Sequence, residues 1–518
     1  MKNSENDPKN SGVMDADSTV LDHNSLFQSE EYQCLFDNKK WFEQATPEAE
    51  VARVEEWTRS WEYREKNFNR KNIVINPAKA CQPLGGVLAA VGFANTLPLV
   101  HGSQGCVAYF RSHFTRHYKE PFAAASTSMT EDGAVFGGMK NLREGLQNAI
   151  KLYKPEMVAV CTTCMAEVIG DDVGSFISDF REEGIVSEEY PIPFAHTPSF
   201  VGSHITGYDN MMKAILSDQS KGVANPDSKK INIIPGFETY TGNIREIKHI
   251  LELLNVESTI LGDTSDALDS PATGEYTMYP GGTPLAQLRE AAKNKATIAL
   301  QRYSTRKTME MVRNSWHQET VAMRPPIGIG GTDLFIKEVQ RLTGCEIPQA
   351  IKDERGRAVD AILDSHPYVH GKRVALVGDP DMLLGVTPLL LEVGAEPIHI
   401  VCTNGDDEFG KEMEAFLATS PHGANAKVWL KKDLWHLRSL VFTEPVDLVI
   451  GNTYVKQLAK DADIPLVRVG FPILDRHHLH RYPIVGYGGA LFLIQMIVNT
   501  ILEEMDRKAP AHSFDAIR

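Results

Sequence analysis

The stretch MVAVCTTCMAEVIGDDVGSFISDF, residues 157–180, decides the fold. Residues 157–160 form a short apolar, β-branched run, and 173–180 carry apolar residues at helical spacing, with a cysteine-bearing turn between them. A buried strand followed by a helix is half of a βαβ unit. The alternation recurs along the chain. Residues 231–235 precede a helix around 244–254 and then the run 258–261, and 297–300 is followed by a further helix. Residues 373–377 lead through a helix to 397–401, and 448–450 and 466–469 complete the series. Strands that alternate with helices pack as parallel sheets covered on both faces. The fold class is therefore α/β, with three doubly wound parallel-sheet domains over 71–228, 229–370 and 371–518. An N-terminal helical arm over 1–70 precedes them, and a long C-terminal helix begins near residue 490. Residues 265–279 read as the most loop-like linker.

The arm is polar at first and then carries Trp41, Phe42, Trp57, Trp61 and Tyr63 among Glu, Arg and Lys. Residues 47–68 read as one helix whose rings need a surface to cover, on the chain's own domain or on a partner subunit. The 518 residues supply ample material for buried cores. With 53 Lys plus Arg against 68 Asp plus Glu the formal charge is −15, which argues against a nucleic-acid binder held by phosphate neutralisation. The most apolar stretches, 84–100 and 490–502, are interrupted by Gly, Asn, Thr or Gln and fall short of a bilayer span. The polar, acidic first twenty residues lack the basic and apolar regions of a secretory signal, so a cytoplasmic protein is expected. Seven cysteines, an odd number over a long chain, read as free thiols or metal ligands rather than a disulfide framework.

In α/β units ligands sit beyond the carboxyl ends of strands, where helix N-termini present free N–H groups. Four residues fall at such places. Cys81 stands just before Pro83 and a helix, Cys106 follows Gly102 and Gly105, Cys164 lies at the strand-to-helix turn of 157–180, and Ser199 precedes a helical segment ending near Leu216. A helix N-terminus favours thiolate, and adjacent glycines admit a bulky anionic group, conditions suited to an iron–sulfur cluster. The separations of 25 and 58 positions match no compact ferredoxin loop, and three cysteines fall short of a Cys₄ set. Either a second chain contributes ligands or these are ordinary buried thiols. Cys161 and Cys164 form a C-x-x-C with no partner at zinc-ribbon spacing. The histidines of residues 475–481 read as packing at a domain junction. No phosphate-binding P-loop and no dinucleotide fingerprint occurs, and the glycine-rich residues 328–331 follow two prolines. Any nucleotide hydrolysis in this system belongs to a partner.

Eight segments, NPAKACQPLGG (76–86), VHGSQGCVAYFRSHF (100–114), SMTEDGAVFGG (128–138), TTCMAEVIGDD (162–172), PFAHTPSFVGSH (193–204), PGFETYTGN (235–243), DLWHLRSLVF (433–442) and GFPILDRHHLHR (470–481), closely resemble the β subunits of nitrogenase molybdenum–iron proteins. The resemblance runs from about residue 40 to the C-terminal helix. It implies three α/β domains and an α2β2 heterotetramer, with an 8Fe-7S P-cluster at each α/β boundary that takes three cysteines from each side. Carried over by motif, the β ligands are Cys81, Cys106 and Cys164, and Ser199 matches a serine that joins one iron on oxidation. Cys34, Cys161, Cys345 and Cys402 match no family ligand. The family's iron–molybdenum cofactor lies in the α subunit, so no catalytic residue is expected in this chain. Its implied task within the nitrogenase enzyme is to relay electrons from an ATP-hydrolysing iron protein to that cofactor for reduction of dinitrogen. Tyr109 and Phe110 are expected to pack between the two metal sites, and Glu120 resembles a residue at a cation site between β subunits. The related cofactor-assembly scaffold shares the fold, but the full ligand set with Ser199 and the aromatic arm favour the nitrogenase subunit. The long arm likewise favours the molybdenum system over the vanadium and iron-only β chains. A non-catalytic α/β binding protein with structural cysteines is the remaining alternative.

Overall fold

The computed structural model describes residues 23–70, 79–275 and 277–510. The expected domain start near residue 71 lies outside the described residues. The chain divides into two compact units, residues 1–63 and 64–518. The first holds the helices His23–Gln28, Glu30–Glu43 and Glu48–Trp57. In place of the single helix expected over 47–68 there are two, Glu48–Trp57 and Trp61–Phe68. Two hydroxyl residues make the break: Thr58 donates to Glu55 O at 2.6 Å, and the Ser60 hydroxyl accepts the Tyr63 N–H at 3.2 Å. Trp57 and Tyr63 then pack edge to face with centroids 4.8 Å apart.

The second unit contains three sheets whose pairings are all parallel. Strands β1 (Thr96–His101), β2 (Ala125–Ser126), β3 (Met157–Thr162) and β4 (Phe194–Ala195) lie in the order β2-β1-β3-β4. β5 (Ile231–Ile234), β6 (Ser258–Ile260), β7 (Ala296–Ala299) and β8 (Glu319–Ala322) repeat that order as β6-β5-β7-β8. β9 (Arg373–Val377), β10 (Glu396–Cys402), β11 (Lys427–Leu430), β12 (Leu448–Gly451) and β13 (Leu466–Arg468) form β11-β10-β9-β12-β13. β1, β3, β5 and β7 are buried along their whole length, which is why they read as continuous apolar runs. In the first sheet β1 and β3 pair in register from Thr96↔Met157 to His101↔Thr162, and the strand order reverses between them.

Internal carboxylates tie the sheets together at backbone N–H groups that in other α/β proteins face anionic ligands. Asp209, on the helix after β4, accepts from Lys307 N (2.8 Å) and Thr308 N (2.9 Å). Asp381, after β9, accepts from Tyr303 N (3.0 Å) and Ser304 N (3.1 Å) in the turn just before the helix that carries Lys307 and Thr308. Glu392 accepts from Ile329 N and Gly330 N, so the glycine-rich helix start at 328–331 is filled by the chain itself. His117 joins all three sheets: one ring nitrogen bonds Thr239 O and the other accepts from Ile473 N, each at 3.0 Å. His480 packs beside it with ring centroids 5.6 Å apart, the junction expected of the histidine-rich stretch, whereas His477 and His478 are exposed.

The C-terminal helix spans Gly486–Lys508, four residues earlier than its apolar run suggested. Gly486 adopts a left-handed φ of 73°, Asn243 Oδ1 accepts from Ile484 N, and Glu246 Oε1 accepts from Gly488 N, so contacts from a distant helix start this one within a glycine-rich segment. By length and composition the helix could cross a membrane. Its buried residues Tyr487, Ala490, Leu493, Ile494, Ile497 and Ile501 recur at helical spacing, and it packs on the chain's own helices Gln349–Val369, Gly328–Thr343 and Thr241–Leu253.

Residues 64–70 dock on the third sheet's Leu434–Thr443 helix. Arg64 donates to Thr443 Oγ1 (2.8 Å), Asn67 to Ser439 Oγ (2.8 Å), and the Phe68 ring meets Trp429 edge to face. For this segment the surface covered belongs to its own chain.

Buried titratable groups predict the response to acid. Burial pushes His117 down to about 3 and His399 and His480 to about 4, and lowers His101 too. As pH falls below about 6.5 these imidazoles gain protons only in the unfolded chain, which lowers stability. Burial pushes Glu238 and Asp381 up to about 7 and raises Asp209, Glu246 and Glu392. As pH falls through about 7 Glu238 and Asp381 take up protons that the unfolded chain lacks, and the other raised carboxyls act in the same direction, which raises stability and offsets the imidazoles. The urea midpoint of the chain is therefore expected to stay near level from pH 7 to 5 and to collapse below about 4.5, where unfolded carboxyls protonate as well. A steady decline beginning at 6.5 would show that the buried carboxyls are ionised.

Candidate functional site

The three cysteines singled out from sequence all sit at helix N-termini beyond the carboxyl ends of the first sheet. Cys81 is the N-cap of Gln82–Val91, with extended backbone (φ −67°, ψ 154°) and Pro83 in the first turn. Cys106 lies in the first turn of Gln104–Tyr118, a helix capped by the Ser103 hydroxyl accepting from Gly105 N. Cys164 is the first residue of Cys164–Ile169. Cys106 follows β1 and Cys164 follows β3, so these two stand on either side of the point where the strand order reverses, the usual ligand crevice of such sheets. The loops touch: a Cβ on Gly102 would lie 1.9 Å from Thr163 Oγ1, so no larger residue fits between them.

The structure brings the three thiols into one neighbourhood. Cys81 and Cys164 are exposed and Cys106 is half-buried. Burial, followed by the charges of Cys164 and Cys81, pushes the Cys106 thiol up rather than down. Negative charge on the other two thiols opposes ionisation of Cys106, and positive metal beside it would favour it. Among the described residues no three His, Cys, Asp or Glu side chains form a compact cage for one ion. A donor set of this kind suits one side of a multi-iron cluster, whose ligands spread over its surface. The donor set therefore fits one side of such a cluster.

Cys161 lies within β3, whereas Cys164 lies beyond its end. It is buried, its sulfur lies 2.7 Å from where a Cβ on Gly86 would stand, and burial pushes its thiol up to about 12. The C-x-x-C is therefore one core thiol and one surface thiol. Ser199 lies half-buried in a turn after β4. Phe110 is buried in the core, while Tyr109 is 39% exposed and lines an open cavity of about 590 Å³ with Lys79, Trp435 and Tyr454. Burial, then Tyr454 and Cys81, push its hydroxyl up to about 12. Glu120 meets Arg481 at 3.6 Å, and Arg481 also pairs with Asp269.

The sequence reading missed the surroundings. Val135 and Phe136 on the short helix Glu131–Phe136 after β2, Val168 on Cys164–Ile169 after β3, and Phe200 and Val201 in the turn after β4 are 57–86% exposed large apolar residues in segments that follow strands of the first sheet. Such a patch marks a surface that another molecule covers. Its signal was present in the sequence as apolar residues beside glycines, at Val135-Phe136-Gly137, Val168-Ile169-Gly170 and Phe200-Val201-Gly202.

The profile of the nitrogenase component 1 type oxidoreductases matches residues 81–502, which include every candidate ligand. The chain belongs to that family. A second profile, for a domain of unknown function, matches residues 14–67. Among curated relatives, the nitrogenase molybdenum-iron protein beta chains of Nostoc sp. and Frankia alni are each 58% identical, the first over 96% of this chain and 99% of its own length, the second over 96% of both. That of Azotobacter vinelandii is 49% identical over 93% of this chain and 95% of its own. The solved structure "Nitrogenase Cp1 at pH 6.5" superposes with a TM-score of 0.83 at 39% identity, covering 87% of this chain and 98% of that one. "Nitrogenase Cp1 at pH 5" gives 0.64 at 16% identity, a likeness of fold alone. Within the family the chain is thus similar over nearly its whole length to subunits of an oxidoreductase complex.

Proposed function

We propose that this chain is the β subunit of a nitrogenase molybdenum–iron protein and holds half of an 8Fe-7S P-cluster through Cys81, Cys106 and Cys164, with Ser199 beside it. The convergence of three thiols from three separate helix N-termini, on an open apolar-rimmed face with no fourth cysteine beside them among the described residues, carries this reading. When bound, such a cluster accepts and releases single electrons. The chain's own residues hold it and shape its surroundings. The helix starts at Cys81, Cys106 and Cys164 aim backbone N–H groups at the negatively charged sulfur, and Phe110 and Val107 close the protein side against water. The α subunit supplies the remaining ligands and the iron–molybdenum cofactor, and an ATP-hydrolysing iron protein is the transient electron donor. The site as a whole sits in the cytoplasm, on the first of three α/β domains over 71–228, 229–370 and 371–518.

The test is iron and acid-labile sulfide analysis of the chain co-purified with its α partner, followed by dinitrogen reduction with iron protein, ATP and reductant. Absence of iron would leave the cysteines structural. Iron without reduction would make the chain an assembly scaffold.

The arm gives a separate expectation. Deleting residues 1–40 should leave the heterotetramer intact, whereas deleting 1–63 should weaken pairing with α, because the second cut also removes Trp57, Trp61 and Tyr63. It spares Arg64, Asn67 and Phe68, which are anchored on the third sheet. Size-exclusion profiles of the two truncations decide it. An unchanged tetramer after the longer deletion would mean that the arm stabilises only its own chain.

A further inference from the structure

Gln82, the residue after Cys81, is 1% exposed, and its side-chain amide sits inside the turn that carries Ser199. Its Nε2 donates to Pro198 O at 2.7 Å and also to Val201 O, one carbonyl on each side of the serine. Its Oε1 accepts from Asn210 Nδ2 at 3.3 Å. Two carbonyls on one side and an amide on the other allow only this orientation of the group, and every polar atom of the side chain is used. The turn is shaped around it. Gly202 has a φ of 98°, and a Cβ there would come within 3.0 Å of Gln82 Nε2 and 2.9 Å of Thr206 Oγ1. Ser203 and Thr206 fix the far end of the turn as a capping box on the His204–Gln219 helix.

A second clasp holds that same end. His204 N–H donates to Ala80 O, and His204 Nδ1 accepts from Ala80 N, both at 3.1 Å. His204 Nε2 bonds Asp379 Oδ2 at 2.9 Å, and Asn404 Nδ2 donates to Asp379 Oδ1 at 2.7 Å. The residues before and after Cys81 are thus each bonded to the segment that bears Ser199, across more than a hundred positions of chain.

We propose that Gln82 is the positioning residue for Ser199, holding the serine turn in fixed register with the Cys81 thiol so that both side chains face the same metal. The proposal rests on the reading of Cys81 and Ser199 as cluster-facing groups. Without the amide donor, the carbonyls of 198 and 201 have no common anchor. Phe200 and Val201 are already exposed, so the turn relaxes outward and takes the serine hydroxyl with it.

The experiment uses the purified α/β complex and compares Gln82→Leu, Ser199→Ala and the double variant. Iron content reports assembly, and Mössbauer and electron paramagnetic resonance spectra of the reduced and oxidised cluster report ligation. Gln82→Leu is expected to retain wild-type iron and the reduced-state spectra, and to lose the same oxidised-state features that Ser199→Ala loses. In the Ser199→Ala background it should add no further change, a non-additivity that general loosening of the fold would not produce. If Ser199→Ala alters the oxidised spectra and Gln82→Leu does not, or if the two changes simply add, the positioning role is overturned while the ligand reading stands. If Ser199→Ala is itself spectroscopically silent, both fall. Should Gln82→Leu fail to assemble, Gly202→Ala strains the same turn from its other end, and a wild-type oxidised spectrum in that variant overturns the proposal.

Discussion

Cys164→Ala is expected to strip iron from the α/β complex and weaken its association while leaving the isolated chain as stable as before, and Cys161→Ala is expected to do the reverse. The two residues are three positions apart, yet one is exposed at a helix N-terminus and the other is buried against Gly86. Removing an exposed sulfur costs the fold almost nothing, but under the proposed assignment it takes one of three thiolates from the metal. A cluster bridging two chains contributes to assembly as well as to electron transfer, so its loss should appear both as iron and as heterotetramer. Cys81→Ala and Cys106→Ala belong with Cys164→Ala. Cys161→Ala leaves a small cavity in the core and should cost about 1–2 kcal/mol in urea unfolding, with full iron retained. Equal iron in the Cys161 and Cys164 variants would show the ligand assignment to be wrong.

That contrast also shows what a sequence can disclose. The strand over 157–160 and the helix over 173–180 were legible from local periodicity, and with them the place of Cys164 in the turn between; the strand runs on to Thr162, and the short helix Cys164–Ile169 left no period of its own. The same local logic placed Cys81 and Cys106. What it could not reach were contacts between segments far apart in the chain. The Gln82 amide finds its carbonyls 116 and 119 positions away, and the His204 ring finds Ala80 across 124. Neither pairing leaves a periodic trace. The C-terminal helix began earlier than its apolar run because Asn243 and Glu246 organise its first turn. The arm broke where Thr58 and Ser60 bond their own neighbours, a signal that lay in the sequence beneath the continuous helical pattern. The glycines at 328–331 form a helix start able to accept an anion, and only the fold reveals that Glu392 is the anion.

Gly85→Ala is expected to be among the most damaging single-methyl additions in the chain. The helices Gln82–Val91 and His204–Gln219 cross backbone against backbone: a Cβ on Gly85 would stand 1.7 Å from His204 O and 2.8 Å from Tyr208 N, and one on Gly207 would stand 1.8 Å from Gln82 O. Main-chain atoms cannot swing aside as a flexible side chain can, so the helices must part by at least the 1.3 Å separating that contact from the 3.0 Å limit of real Cβ contacts. Parting them unseats Leu84, Val87, Leu88, Met211 and Met212, all within the main core, at a cost of about 3 kcal/mol or more. It also breaks the His204 clasp on Ala80 and the Gln82 anchor of the serine turn. Chain stability and cluster iron should therefore fall together, in contrast to Cys164→Ala. Two further glycines calibrate the effect. Gly356, inside the Gln349–Val369 helix, has nothing within 4 Å of a built Cβ, and Gly356→Ala should stabilise by about 0.5–1 kcal/mol through helix propensity. Gly86→Ala clashes with the sulfur of Cys161, at 2.7 Å, while Gly207 O and Met211 Cβ stand at an ordinary 3.6 Å, so its cost should be intermediate and Cys161→Ala in the same chain should relieve much of it. Thermal unfolding of the four variants tests the ordering, and a Gly85→Ala protein that melts with wild type would mean that the two helices do not meet as closely as 1.7 Å implies.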